Sequence, residues 1–151
     1  MTVDVTTEIE IARPRAEVAA YACDPDNATT WYENIKSVEW QTPGPLAVGS
    51  RLRFTAAFMG RSLAYTYEVR QHDPATRFVM STDSGPFPME TTYEWRDGPG
   101  GATVMSLRNC GEPSGFAKVG AGLMARAMQR ANRKDLARLK EILEGLPTAS
   151  S

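Results

Sequence analysis

The chain has 151 residues, 42% hydrophobic and 23% charged, a balance expected of one globular domain and not of a disordered or fibrous chain. No window approaches 18 consecutive apolar residues, and the acidic, alternating start MTVDVTTEIE lacks the basic head and apolar run of a signal peptide, so neither a membrane span nor a secretory leader is expected. A net charge of −1 gives no general attraction to nucleic acid, and two cysteines with one histidine and no CxxC exclude a zinc ribbon and a disulfide-dense scaffold.

Residues 3–11 alternate, with Val3, Val5, Thr7, Ile9 and Ile11 on one side and Asp4, Thr6, Glu8 and Glu10 on the other, the period of a strand with one wet face. Arg13-Pro14 stops it and opens a short helix over 14–22. Asp24-Pro25-Asp26 breaks that helix, and 26–34 forms a second one carrying Trp31. A short strand covers 37–41. From 50 to 111 strands follow one another. Leu52, Phe54, Ala56 and Phe58 alternate with charged and polar residues, then Leu63, Tyr65, Tyr67 and Val69 do so. A turn at 72–76 leads to a strand over 78–82, a loop over 84–88 leads to Phe87, Met89, Thr91, Tyr93 and Trp95, and a turn at 97–101 leads to the last strand, 102–110. The connections are short, so neighbours pair as antiparallel hairpins in a meander.

Residues 115–145 change character. Ser114 can cap a helix that runs without proline to Pro147, roughly 46 Å at 1.5 Å per residue. Ala121, Met124, Met128, Ala131, Leu139, Ile142 and Leu146 share one face, with Phe116, Val119, Leu123 and Ala127 adjoining. Arg126, Gln129, Arg130, Arg133, Lys140 and Glu144 hold the opposite side. The expected fold class is α+β: a curved antiparallel sheet of about seven strands around one long C-terminal helix, with two short helices after the first strand. One domain is expected over 1–146, followed by a disordered tail, 147–151.

This order of elements resembles the START-like superfamily (the helix-grip, Bet v 1-like or SRPBCC fold) and, within it, the bacterial polyketide cyclase/dehydrase and lipid-transport group. The matching stretches are RPRAEVAAY at 13–21, DPDNATTW at 24–31, VGSRLRF at 48–54, YEVRQHDPATRF at 67–78, GATVM at 101–105 and NRKDLARLKEILE at 132–144. Each is structural, and their order and spacing carry the identification. The resemblance implies a cavity between sheet and helix that takes an apolar or partly aromatic small molecule.

Candidate ligand-binding residues are Trp31, Phe54, Phe58, Tyr65, Tyr67, Phe78, Met80, Met89, Tyr93, Phe116, Met124 and Met128. Buried aromatics and methionines ordinarily just pack, but a buried phenol needs a partner for its hydroxyl. Tyr65, Tyr67 and Tyr93 on inward faces would place polar points in a greasy interior, so they are candidate catalytic groups as well. Arg108 joins them if it points inward, where it would anchor a carboxylate or enolate; the register of 102–110 reads either way, and a solvated charge is the simpler outcome. Asp135 interrupts the apolar stripe and must be paired or reach water, which suits a structural ion pair or hydrogen bond. His72 sits in the 72–76 turn with no second histidine, so neither a metal site nor a Ser-His-Asp arrangement is expected. Gly115, Gly120 and Gly122 suggest close packing or a loosely held gate over 111–122. Residues 1–112 hold 10 basic and 15 acidic groups and residues 113–151 hold 7 and 3, which reads as a solvated helix face, with contact to anionic lipid the lesser reading.

The expected function is a cytoplasmic carrier or sensor of a hydrophobic, lipid- or polyketide-like molecule. It would work without cofactor, metal, nucleic acid or stable membrane insertion, as monomer or homodimer. The alternative is a polyketide cyclase or aromatase using cavity tyrosines and Arg108; a third class is an interaction module using an exposed apolar patch.

Overall fold

Strict alternation in the first strand leaves one apolar face to be covered, and the whole chain is arranged around that need. The computed structural model describes residues 3–58, 60–82, 88–112 and 121–146, the side chains of Phe58 and Ala121 excepted. Strand β1 is Val3–Ile11, followed by helix α1 (Arg15–Cys23), a 3-10 turn at Pro25–Asn27 and helix α2 (Ala28–Trp31). Strands β2 (Ile35–Trp40), β3 (Arg51–Phe58), β4 (Arg61–Asp73), β5 (Arg77–Thr82), β6 (Met89–Asp97) and β7 (Thr103–Gly111) follow, then helix α3 (Ala121–Glu144). The sheet has seven strands in the order β1-β7-β6-β5-β4-β3-β2, with antiparallel neighbours throughout. This is the helix-grip arrangement.

Local chemistry sets the boundaries. Pro14, with φ −61°, precedes the first turn of α1 where a missing N–H costs nothing. The Asp24 carboxylate accepts from Asp26 N–H at 3.0 Å and so starts the 3-10 turn. β4 runs three residues past the expected stop: His72 and Asp73 still pair with Phe78 and Arg77, after a bulge between Val69 and Gln71. The bulge lets both Val69 and His72 stand opposite residues of β5, and His72 packs edge-on against Phe78 with ring centres 5.8 Å apart. The histidine is therefore half-buried in a strand and not in an exposed turn. The register of β7 is settled by its neighbours. Met105, Leu107 and Asn109 stand beside Trp95, Tyr93 and Thr91, facing inward, and Arg108 faces out.

The long helix covers the concave face, with Met124, Met128, Leu136, Leu139 and Leu143 as its buried apolar stripe. Asn132 and Asp135 belong to the same buried stripe. Leu146 is partly exposed, and Leu123, at 54% exposure, points away from the core. Of the gate suggested over 111–122, residues 113–120, with Ser114, Phe116 and Val119, lie outside the described residues, as does the tail 147–151.

The end of α3 is latched to the end of β1. Arg13, only 7% exposed, donates to the carbonyls of Glu144, at 3.2 Å, and Leu146. Its charge thus sits at the negative end of the helix dipole. Glu144 accepts from Ala12 N–H at 2.8 Å, and Lys140 donates to Glu10 O at 2.8 Å and to the Glu144 carboxylate at 2.7 Å. Lys140 and then the Ala12 amide hold the Glu144 carboxyl below its ordinary range. Arg13→Ala is expected to lower the urea-unfolding free energy by about 1.5–3 kcal/mol, with Arg13→Lys recovering less than half. A loss below about 0.5 kcal/mol would show that the latch contributes nothing to stability.

Candidate functional site

A straight helix crossing a curved sheet leaves space where neither reaches the other. Here that space is a cavity of about 140 Å³ beneath the middle of α3. Its apolar wall is Ile35, Ala56, Leu63, Met89, Met128 and Ala131. Its polar wall is Tyr32, Asn34, Tyr65, Tyr67, Asn109, Asn132 and Asp135. The volume suits one aromatic ring or a short alkyl segment, since a dry cavity of about 150 Å³ holds a benzene.

The polar wall is largely wired together. Thr91 and Asn109 are partners in register across β6 and β7, and Asn109 Nδ2 donates to Thr91 Oγ1 at 2.9 Å. Asn132 reaches down from α3 and donates to Asn109 Oδ1 at 2.7 Å. Thr91 in turn shares a hydrogen bond with the Tyr67 hydroxyl. The Tyr32 and Tyr93 hydroxyls lie 2.5 Å apart. Burial raises the Tyr67 and Tyr93 phenols well above the ordinary value and Tyr65 to about 12, so all three are protonated donors at neutral pH.

Asp135 is the one buried acid of this wall, 3% exposed. Its Oδ1 accepts from Glu33 N–H at 3.0 Å. Burial raises its carboxyl to about 6, partly offset by that amide, with Glu33 adding repulsion and Lys134 some relief. The sequence reading of Asp135 as a structural acceptor fits this hydrogen bond, but the side chain also faces the cavity.

The expected site residues divide into groups. Tyr65, Tyr67, Met89 and Met128 line the cavity. Phe54, Phe78, Met80 and Tyr93 surround instead a remnant of about 20 Å³ under α1 and α2. Trp31, 1% exposed, helps to close that end, with its ring centre 4.0 Å from Tyr32 and 5.8 Å from Tyr93. Aromatics delivered by the short helix thus plug half of the interior the sequence left open. Met124 packs with Val3, Val5, Leu63 and Met128 and is not part of this cavity's wall. Phe116 and the Phe58 side chain lie outside the described residues. Arg108 does not reach the interior: on the outer face it pairs with Asp4 at 2.6 Å, and that carboxylate raises its pKa further. It cannot anchor a ligand in the cavity.

Tyr32, Asn34, Asn109 and Asn132 were not among the sequence candidates. Asn132 is polar at a position of the buried helix stripe, a signal that was available beside Asp135. Tyr32 and Asn34 fall within the helix expected over 26–34, but that helix ends at Trp31, so helical spacing gives no facing for them. Among the described residues no group of three or more His, Cys, Asp or Glu side chains could hold a metal ion, and no helix is long and apolar enough to cross a membrane.

A family model described as polyketide cyclase / dehydrase and lipid transport matches residues 2–144. No curated protein matches the chain in sequence. Similar solved structures include a START superfamily protein from Mycobacterium smegmatis, with TM-score 0.83 and 15% identity over 95% of this chain and 99% of that one. A Thermus thermophilus protein gives 0.79 and 23% over 98% and 99%. The Zhui aromatase/cyclase from a Streptomyces species gives 0.76 and 17% over 95% and 94%. At these identities the likeness carries the fold.

The folded-state pKa of Asp135 lies above the ordinary 3.8 expected when unfolded. The native state therefore holds the proton more tightly, and stability is full below about pH 4 and is lost as pH rises through about 6. Asp135→Asn keeps an acceptor for Glu33 N–H and removes the ionisation. Denaturation at acid and neutral pH should show about 1–3 kcal/mol less pH-dependent loss in Asp135→Asn than in the wild type. Equal pH dependence in the two proteins would assign the buried carboxyl an ordinary pKa.

Proposed function

This chain belongs to the polyketide cyclase / dehydrase and lipid transport family, and from that premise we propose that it binds a hydrophobic small molecule between sheet and α3, as a cytoplasmic carrier or sensor. The observation that carries this reading is the cavity of about 140 Å³, whose exposed lining is mostly apolar with a few hydrogen-bonding side chains among it. Such a wall fixes the orientation of an aromatic or acyl guest through a few polar contacts while burial supplies affinity. Filling the cavity tests it. A naphthalene-type fluorescent probe at a hundredfold excess over Kd should stabilise the wild type by about 2.7 kcal/mol. Ala56→Phe, which places a ring in the cavity wall, should abolish that shift while the protein stays folded. A probe that stabilises both proteins alike would remove the cavity from consideration.

A second reading is favoured by Asp135. A carboxyl with a pKa of about 6 is ionised at neutral pH yet basic enough to take a proton. An aldol cyclisation needs a base to remove a proton from the carbon between two carbonyls, and a donor for the oxygen that becomes an enolate. Asp135 could act as that base, and Tyr65 or Tyr67 as that donor. An aryl 1,3-diketone then exchanges its central hydrogens for deuterium faster with the protein than without it. The rate should rise with pH through about 6 and fall to background in Asp135→Asn. No acceleration by the wild type would leave binding as the function.

A further inference from the structure

The cavity is too small to enclose a typical ligand, for which pockets of about 300–1,000 Å³ are usual, so part of a larger guest must lie outside it. A groove of about 550 Å³ on the outer flank of α3 adjoins it, and Asn34 and Ala131 line both spaces. The groove also carries Arg126, Arg130 and Lys134, on successive turns of one side of α3. Like charges at that spacing repel. None of the three makes an ion pair or hydrogen bond among the described residues.

Cations elsewhere are treated differently. On the sheet surface Arg51, Arg77 and Arg108 are each paired with a carboxylate from a neighbouring strand, and Arg96 reaches across β7 to Glu8 of β1; among the described sheet residues Arg53 is an exception. Against the three groove cations stand two carboxylates, Glu33 on the rim and Asp135 in the adjoining cavity, where Lys134 acts on it. Three cations against two carboxylates leave an excess of positive charge beside the cavity, and it lies on the Arg126 and Arg130 turns, away from Asp135.

We infer that the guest is an acidic amphiphile, its ring or chain in the cavity and its ionised carboxylate or phosphate on Arg126, Arg130 and Lys134. The inference rests on the binding reading above and names the substrate class for that site. A small anion fits better than a membrane surface. A helix lying in a bilayer interface turns a broad apolar face outward, whereas the stripe of α3 is turned inward and Leu123 is its one large apolar residue more than half exposed among those described.

Calorimetry with matched probes tests this. 2-Naphthoate and 2-naphthyl phosphate are titrated near neutral pH and low salt against 2-naphthylmethanol, which has the same ring without the charge. At least one acid should bind about tenfold more tightly than the alcohol, the sum of several modest screened contacts, and the preference should shrink as salt rises. The two acids tell a carboxylate head from a phosphate head. The triple variant Arg126→Gln, Arg130→Gln, Lys134→Gln should lose the preference while keeping the alcohol's affinity within about twofold. Equal binding of acids and alcohol by the wild type, or a preference that survives in the triple variant, overturns the head-group inference and leaves cavity binding intact. If neither acids nor alcohol bind, both fall. Co-sedimentation with phosphatidylglycerol vesicles through these cations, without a preference for the soluble acids, would overturn it in favour of a membrane-docking face.

Discussion

A sheet with most of its large apolar side chains on one concave face has to be covered along a curve, and the cover here is a straight rod. Helix α3 meets the sheet near its start, where Met124 and Met128 pack with Val3, Val5 and Leu63. It meets it again at Leu136, Leu139 and Leu143, which join the main core with Leu52, Phe78 and Met105. Between these contacts lie Asn132 and Asp135, and the cavity lies where they point. Geometry sets where a hollow can form, and the side chains at that point decide whether it is filled.

At the other end of the concave face it is filled. Trp31, Tyr32, Phe78, Tyr93 and Trp95 form a chain of ring contacts with centres 4.0 to 6.0 Å apart. Leucine at 132 or 135 would extend the same packing and add apolar burial of about 1.5–3 kcal/mol each. The chain instead holds an amide and a carboxyl there, and the carboxyl opposes folding once ionised. A buried polar network that must be satisfied throughout is a costly way to line an interior, and it makes sense where something besides packing is required of the space.

Period-two runs and one long amphipathic segment made the architecture legible, because alternation and helical spacing report directly on which face is buried. Register was harder. Strand β7 has Val104, Ser106 and Cys110 on one face and Met105 and Leu107 on the other, and only its pairing with β6 shows that Arg108 faces out. The site was read in half. Tyr65, Tyr67, Met89 and Met128 follow from alternation and the helical wheel. Tyr32 and Asn34 follow only from the path of the chain after α2, which tertiary contacts set: Asp135 holds the Glu33 amide and Arg138 donates to the Thr30 carbonyl at 2.7 Å. Phe54, Phe78 and Tyr93 face inward as expected, but what stands over them comes from α1 and α2, and no local pattern reveals that.

The latch between Arg13 and the end of α3 joins groups 131 and 133 positions apart, and β1 is held in the sheet by β7. During synthesis the first strand therefore leaves the ribosome long before its partner β7, and the meander exists with its oily side bare until the closing helix arrives. A nascent chain in that state is a client for chaperones. A message cut short just before the helix would yield a product fit for degradation, however complete its strands.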